Sequence, residues 1–344
     1  MIVLYILLAV VVLLLMVTIH EFGHYTAGKM LGFKINEFSI GFGPALFSKT
    51  SKKTGEKFSI RAVPLGGYCA FDGEEQDTGN EKSFLNQKPW KRLIVLFFGA
   101  FFNFLSAIIF SFVLLVSVGY DIPKITKINE VNGQIQNQTT GLNVGDIVTH
   151  VNGKEVSFIN GNDFTTLISG YNEGDTITAT VIRGEEKKEV TLEFFKDTNG
   201  EIKLGINMTS QRYSFWDSLK LCVPFTFALA WKILGLFWLL ISGQMGASTL
   251  SNLGGPITTI SMMATLTMQG ASNFLVLLPL LAANLAVFNL LPIPALDGSK
   301  MVFTTIEWIR GKPIKQSVEN TIHTVGLILL FGLVIIADIY HLIF

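Results

Sequence analysis

Long uncharged stretches of apolar residues constrain the fold of this chain more than any other feature. The first covers residues 1–19, and three further runs lie at about 93–118, 274–296 and 321–337. About 20 apolar residues cross a bilayer as a helix, and only 15% of the 344 residues are charged. We therefore expect a polytopic α-helical membrane protein with about four transmembrane helices.

Two apolar segments need separate treatment. The run at 1–19 lacks the basic start and the small-residue cleavage site of a secretory signal, so we expect a retained helix. A fifth apolar stretch at 217–242 is interrupted by Lys220, Pro224 and Lys232. That composition favours a helix that lies on the outer leaflet or dips into it without crossing.

The loop between the first two runs predicts a β-hairpin. Residues 33–40 and 57–63 alternate between apolar and polar side chains, and GFGP at 41–44 predicts a turn between them. Phenylalanines give this hairpin an apolar side, and we expect it to associate with the membrane: Phe38, Phe42, Phe47 and Phe58.

The segment at 119–210 predicts a soluble, β-rich domain. GLNVGD at 141–146, followed by an apolar strand and Asn-Gly at 152–153, resembles bacterial PDZ domains. The alternative is another small β-rich domain. We expect four regions: 1–118 with two transmembrane helices and the hairpin, 119–210 as the PDZ-like domain, 211–270 as a membrane-surface linker, and 271–344 with the last two transmembrane helices.

The distribution of positive charge predicts the orientation. Loop 25–92 and the short loop after residue 297 are rich in Lys and Arg, which assigns both to the cytoplasm. The hairpin is then cytoplasmic and the PDZ-like domain extracytoplasmic. The apolar runs make the lipid bilayer an expected partner, and with a formal net charge of zero we expect no nucleic acid.

The motif HEFGH at 20–24 carries the strongest chemical signal. On a helix, His20 and His24 lie four residues apart on one face and can bind one Zn²⁺. Glu21 beside them can take a proton from water that the zinc activates. HExxH also recurs in unrelated chains, but ionisable residues at the end of an uncharged membrane helix are costly to keep and indicate function.

A catalytic zinc site needs a third protein ligand and an open position. Asp297 ends the apolar run of the third helix and matches the depth of His20 if the two helices run in the same direction. His323 is the other candidate ligand. Asp338 and His341 fall at the opposite end of the last helix and are expected to be too far away.

Residues around Asp297 and in the membrane runs suggest how substrate could bind. Pro292 and Pro294 remove backbone donors, so they either open the helix before Asp297 or simply end it. Asn289 and Asn103 stand in apolar surroundings. Each could bind the substrate backbone or the oxyanion that forms on attack, and each could equally join neighbouring helices.

Taken in order, HEFGH, FSIGFGPALF at 38–47, PLGGY at 64–68, the PDZ-like segment and NLLPIPALDG at 289–298 resemble the bacterial site-2 protease family over essentially the whole chain. The resemblance implies a zinc-dependent intramembrane endopeptidase of the bacterial cytoplasmic membrane. Its substrates would be single-pass transmembrane proteins, typically anti-sigma factors or remnant signal peptides, cut near the cytoplasmic side.

The resemblance also implies roles for particular residues. The zinc ligands would be His20, His24 and Asp297, with Glu21 as the catalytic glutamate and Asn289 in substrate binding. Gly41 and Gly43 would lie in a membrane-associated hairpin that pairs with substrate, and the alternating segment 38–43 is the expected edge strand. Ser299 stands where the family commonly has glycine, and Ala100 where it commonly has proline.

The residues leave two other functions open. One is a membrane PDZ adaptor without catalytic activity, against which the intact Glu21 argues because an adaptor has no need of that carboxylate. The other is a metal transporter, which would require ligands along a path instead of one site between two helix ends.

Overall fold

The computed structural model describes residues 2–74, 76, 78–120, 122–131, 134–135, 141–197, 200–243 and 255–343. The chain forms two compact units, one of Met1–Ile108 with Ala230–Phe344 and one of Ile109–Leu229. The described helices are α1 (Ile2–Leu31), α2 (Pro89–Ser117), α3 (Phe164–Leu167), α4 (Phe215–Ile241), α5 (Pro256–Gln269), α6 (Ala271–Leu290), α7 (Asp297–Arg310) and α8 (Gln316–Ile343).

Four of the described helices are long and apolar enough to cross a membrane: α1, α2, α4 and α6. The sequence predicts crossings by α1, α2, α6 and α8, with α4 at the membrane surface. By length and composition α4 qualifies as well, because its apolar residues outweigh Lys220, Pro224 and Lys232. Several side chains of α8 lie outside the described part of the chain, and the predicted apolar run 321–337 falls within this helix.

The hairpin consists of β1 (Ile35–Thr50) and β2 (Lys57–Phe71), which pair antiparallel. Both strands bend, so each contributes two rows to the sheet. The register places the rows in the order 45–50, 57–60, 37–40 and 67–70. Ile40, for example, pairs with both Ile60 and Gly67.

This register corrects one expectation. Residues 38–40 are paired on both sides and are not an edge strand. The two outer rows are 45–50 and 67–70. The bends explain the difference, because alternation predicts a strand but not how often it folds back on itself. The chain bends at Gly41 and Gly43, both with φ above +80°, where glycine alone is unstrained.

Polar contacts hold the middle of the hairpin together. Arg61 donates to the Glu37 carboxylate at 2.8 Å and to Ser39 Oγ at 3.0 Å. Partial burial raises the pKa of Glu37, but hydrogen bonds from Ser59, Arg61 and Tyr68 outweigh it and lower that pKa to about 2. Around this centre, phenylalanines and aliphatic side chains stay exposed, including Phe42 at 45% and Phe47 at 60%. The hairpin therefore has the apolar surface that contact with a membrane requires.

The second unit contains the predicted β-rich domain. Its main sheet has the order β12 (Ile206–Ser210), β3 (Pro123–Ile128), β6 (Ile147–Val151), β8 (Thr176–Arg183) and β9 (Glu186–Glu193), with β7 (Lys154–Glu155) beside β6. Short pairs join β4 (Glu130–Val131) to β5 (Gln134–Ile135) and β10 (Phe195–Lys196) to β11 (Ile202–Lys203). Asp146 is 1% exposed and its carboxylate accepts two hydrogen bonds from Arg183.

Candidate active site

The site is built first on the packing of α1 against α2. A side chain at Gly23 would collide with the backbone oxygen of Phe98, and one at Gly99 would collide with the ring of His24. Glycine at both positions therefore lets the two helices approach closely, as small residues do in membrane bundles. On α1, His20 and His24 share a face, are each 7% exposed, and have their Nε2 atoms 3.1 Å apart.

Asp297 reaches these histidines from the end of a loop. Its Oδ2 lies 3.0 Å from His20 Nε2 and 3.2 Å from His24 Nε2. The sequence predicts that Asp297 ends the third helix, but α6 ends at Leu290 and Asp297 is the first residue of α7. Pro292 and Pro294 explain the break, since neither has an N–H with which to continue the helix.

The loop is held tightly in this position. Ala295 has φ +76°, in the left-handed region, and its N–H donates to His323 Nδ1 at 3.1 Å. Gly298 is required by packing, because a side chain there would collide with the carbonyl group of Leu291. These contacts fix where Asp297 begins its helix, and so where its carboxylate points.

The three converging side chains fit a metal ion. His20, His24 and Asp297 form the one group of three or more potential ligands among the described histidines, cysteines and acidic residues. Their facing atoms are 3.0–3.2 Å apart. A tetrahedral zinc ion with bonds of ~2.0–2.1 Å holds its ligands ~3.3 Å apart. Asp297 Oδ2 is also buried without a hydrogen-bond donor among the described residues.

The other candidate ligands have different contacts. His323 Nδ1 accepts the Ala295 N–H, so this ring braces the loop and lies outside the three-residue group. The Asp338 carboxylate accepts the backbone N–H groups of Ile257 and Thr258 at the start of α5. The side chain of His341 lies outside the described residues.

Glu21 faces a polar cavity of about 620 Å³ that the two histidines and Asp297 also line. The backbone N–H of Cys69 donates to its carboxylate. A side chain at Gly67 would approach Glu21 Cγ to 3.7 Å. The outer row 67–70 of the hairpin therefore runs directly beside Glu21.

Charged residues line the same cavity further from the histidines. Lys300 donates to Glu74 Oε1 at 2.7 Å, and Arg92 forms an ion pair with Glu307. Polar walls of this kind can hold water next to groups that need it for hydrolysis.

Asn103 and Asn289 line a second cavity of about 310 Å³, together with His20, Glu21 and Asp297. Asn103 is fully buried on α2, with its Nδ2 3.4 Å from His20 Nδ1. Asn289 on α6 is half-buried. Gly41 and Gly43 lie at the bend of β1, where the positive φ gives a conformational reason for glycine. Substrate binding by these four residues stays a prediction.

Two contributors from α2 were not predicted from the sequence. The carbonyl oxygen of Val95 lies 2.8 Å from His24 Nδ1, and Gly99 leaves room for both histidine rings. A backbone carbonyl has no sequence signal. The spacing of Gly99 four residues before Asn103, on one helix face, is the signal that could have indicated the contact surface.

The pattern of peptidase family M50 matches residues 8–333. The chain belongs to this family. This M50 peptidase is 32% identical over 340 residues to a "Putative zinc metalloprotease" of Fusobacterium nucleatum, an alignment covering 97% of each chain. It is also 29% identical over 343 residues to a "Probable membrane metalloprotease" of Arabidopsis thaliana, covering 94% of this chain and 77% of the relative.

Among solved structures, the M50 peptidase matches the PDZ domain of an SdrC-like protein from Listeria monocytogenes. The match covers 27% of this chain and 93% of that chain, with 22% identity and a TM-score of 0.21. A score this low does not establish a shared fold, so the PDZ character of the second unit stays a prediction. Membership of the M50 family does establish the chain as a protease.

Proposed function

We propose that this M50 peptidase is a zinc-dependent intramembrane endopeptidase that cleaves the transmembrane segments of single-pass membrane proteins. One observation carries the proposal. Two histidines on a helix long enough to span a membrane meet an aspartate from a second helical segment, beside the half-buried carboxylate of Glu21 in a polar cavity. Ionisable groups are costly in such surroundings and are kept for function.

His20, His24 and Asp297 would hold the zinc ion, which leaves one coordination position open for water or substrate. When bound, zinc lowers the pKa of water to about 7 and polarises the carbonyl group under attack. Glu21 takes the proton from the attacking water and later delivers it to the leaving amine. The Cys69 N–H holds the Glu21 carboxylate in place for this transfer.

Substrate must be unwound before it is cut, because a helix hides each carbonyl in its own hydrogen bonds. An edge strand can replace those bonds with its own N–H and C=O groups. The outer row 67–70 is the edge beside Glu21, whereas the outer row 45–50 lies on the other side of the sheet. We therefore assign substrate pairing to 67–70, with Asn289 as a second contact to the substrate backbone. Gly41 and Gly43 contribute to this pairing indirectly, because they allow β1 to bend within the same hairpin.

Crosslinking can test this assignment. In an inactive Glu21→Gln background without Cys69 and Cys222, a cysteine at Tyr68 should form disulfides with cysteines placed along a substrate near the cut. Substrate in an extended conformation presents alternate residues to one face, so the yield should peak at every second position. The measurement is the fraction of substrate crosslinked at each position under mild oxidation.

The matched control is a cysteine at Ser48, in the other outer row. It should give only background crosslinking. A yield that repeats every three to four positions, or an equal yield at Ser48, would show that substrate does not pair with row 67–70. Substrates carrying helix-weakening Gly, Pro or Asn near the cut should also be cleaved faster than all-leucine helices, because less unwinding is needed.

The first unit supports a particular path through the membrane. On α8, Asp338 accepts a backbone hydrogen bond from the start of α5, and His323 accepts one from Ala295 in the catalytic loop. Asp338 lies fifteen residues after His323 in the same helix. At about 1.5 Å per residue, α5 begins ~22 Å along α8 from the level of the catalytic loop. Helix α6, of 20 residues, then has the length to return to that level. We infer that α1 and α6 approach the site from the same side.

This direction supports crossings by α1, α2, α6 and α8. If α4 also crossed, α6 would start from the cytoplasmic side and could not bring Asp297 to His20. We therefore propose that α4 dips into the membrane from outside and returns. The hairpin and the site then lie near the cytoplasmic face of a bacterial cytoplasmic membrane, with the β-rich domain outside.

Labelling by an impermeant thiol reagent checks this topology. Single cysteines at Lys53 and Lys312, in a background lacking Cys69 and Cys222, should react only when the cytoplasmic face is accessible. A cysteine at Lys187 should react from the outside. Opposite accessibility of Lys53 and Lys312 would contradict the four crossings, because both positions must share a side.

The biological substrates follow from the resemblance to site-2 proteases: anti-sigma factors already trimmed outside the membrane, or remnant signal peptides. A catalytically inactive PDZ adaptor is the alternative function. The two differ in one measurement, since only the protease cleaves a model transmembrane peptide in a manner that depends on zinc and on Glu21.

A further inference from the structure

Helix α2 contacts both proposed histidine ligands at Nδ1, the ring nitrogen that does not face Asp297. His24 Nδ1 lies 2.8 Å from the carbonyl oxygen of Val95, which can only accept a hydrogen bond. His24 Nδ1 must therefore carry a hydrogen, and in the neutral ring Nε2 has a free lone pair, which faces Asp297. The Val95 carbonyl thereby selects the tautomer that can bind a metal.

His20 must also carry its hydrogen on Nδ1 if its Nε2 is to bind a metal. Its Nε2 faces Asp297 Oδ2 at 3.0 Å, so in the ligand tautomer its Nδ1 carries a hydrogen and needs an acceptor. The nearest polar group from α2 is the Asn103 side chain, with Nδ2 3.4 Å from His20 Nδ1. Asn103 Oδ1 is buried and has no hydrogen-bond partner among the described residues. A half-turn of the amide would bring this oxygen to the ring, where it can accept a hydrogen bond from His20 Nδ1–H.

The contacts to the two histidines come from the same face of α2. Val95, Gly99 and Asn103 follow one another at four-residue intervals and so lie on one helix face. Gly99 sits between the two acceptors, where any side chain would collide with the His24 ring and come within 2.7 Å of His20 Cε1. This face thus offers two acceptors with a gap for the rings between them.

We propose that Asn103 is a positioning residue whose side-chain oxygen accepts a hydrogen bond from His20 Nδ1–H and so orients Nε2 toward the metal. The inference rests on the proposed zinc site but concerns how that site is set. Asn103 then acts through His20 and does not bind substrate, which leaves Asn289 as the asparagine available to substrate. The complete burial of Asn103 supports this division.

The test is the zinc affinity of three purified full-length variants, measured by competition with a chromophoric chelator. Asn103→Leu keeps the size of the side chain but removes the acceptor, and should weaken zinc binding by roughly 10–100-fold. Asn103→Asp keeps an acceptor and should bind zinc within a few-fold of wild type. Asn289→Leu is the matched control from the same cavity, with zinc affinity unchanged.

A Co²⁺-substituted protein adds a second readout, because its visible absorption reports the ligand geometry. The spectrum should change in Asn103→Leu and be restored in Asn103→Asp. Wild-type affinity in Asn103→Leu, or equal loss in the Leu and Asp variants, would overturn the positioning role. An Asn103→Asp protein with normal zinc affinity but a large loss of turnover would overturn the inference that Asn103 does not bind substrate. Failure of the wild-type protein to bind zinc would overturn the proposed function itself.

Discussion

Replacing Glu21 by Gln should lower cleavage of a membrane substrate by roughly 10²–10⁴-fold, the usual contribution of general acid–base catalysis. Glutamine keeps the size of the side chain and can still accept the Cys69 N–H through its amide oxygen. It cannot take a proton from water. The zinc content should therefore stay at the wild-type level, because Glu21 is beside the three converging ligand atoms and is not one of them.

The measurement pairs turnover of a model transmembrane peptide with metal analysis of the same preparation. Glu56 offers a matched control, since it is a buried glutamate in the same unit that pairs with Lys29 and lies outside the metal group. Glu56→Gln should retain most of the activity. Near-normal cleavage by Glu21→Gln would rule out this carboxylate as the base.

Replacing Asp297 by Ala should remove both the metal and the activity. The change deletes a direct ligand, and loss of an outer partner alone costs roughly 10–100-fold in affinity. It also leaves two buried histidines facing each other across 3.1 Å without the carboxylate between them. We expect no detectable cleavage and a zinc affinity reduced by more than that range.

His323→Ala is the matched comparison, because sequence alone leaves this histidine open as the third ligand. Its Nδ1 accepts a backbone N–H and the ring is outside the metal group, so the variant should keep its zinc. Its turnover should fall, since the loop that carries Asp297 loses one support. Metal analysis that ranks the two variants in the opposite order would reassign the third ligand.

The sequence was informative where one local pattern decides the outcome. HEFGH on an uncharged helix predicts two histidines on one face, because helical spacing is fixed at 3.6 residues per turn. The alternation at 33–40 and 57–63 predicts strands, because successive side chains of a strand point to opposite faces of the sheet. Asp297 was predicted as the third ligand because it ends an apolar run at a depth that matches His20.

The sequence did not predict which segment forms the edge of the hairpin sheet. The alternation at 38–43 is equally compatible with an edge or an inner row, and only the pairing of Ile40 with both Ile60 and Gly67 shows that it is inner. The outer row beside Glu21 is instead formed by 67–70, which the glycines of PLGGY allow to pass close to Ser39 and Glu21.

By itself, the sequence narrowed the chemistry to a few side chains: those that can bind zinc, the glutamate that can take a proton, and the two histidines at the end of an apolar helix. The tertiary structure decided their geometry, including the approach of Asp297 from the start of α7, the edge beside Glu21 and the Val95 carbonyl that α2 presents to His24. The physical reason is that propensity and periodicity act within a segment of the chain. Contacts between distant segments depend on close packing, and backbone groups such as the Val95 carbonyl leave no trace in the sequence.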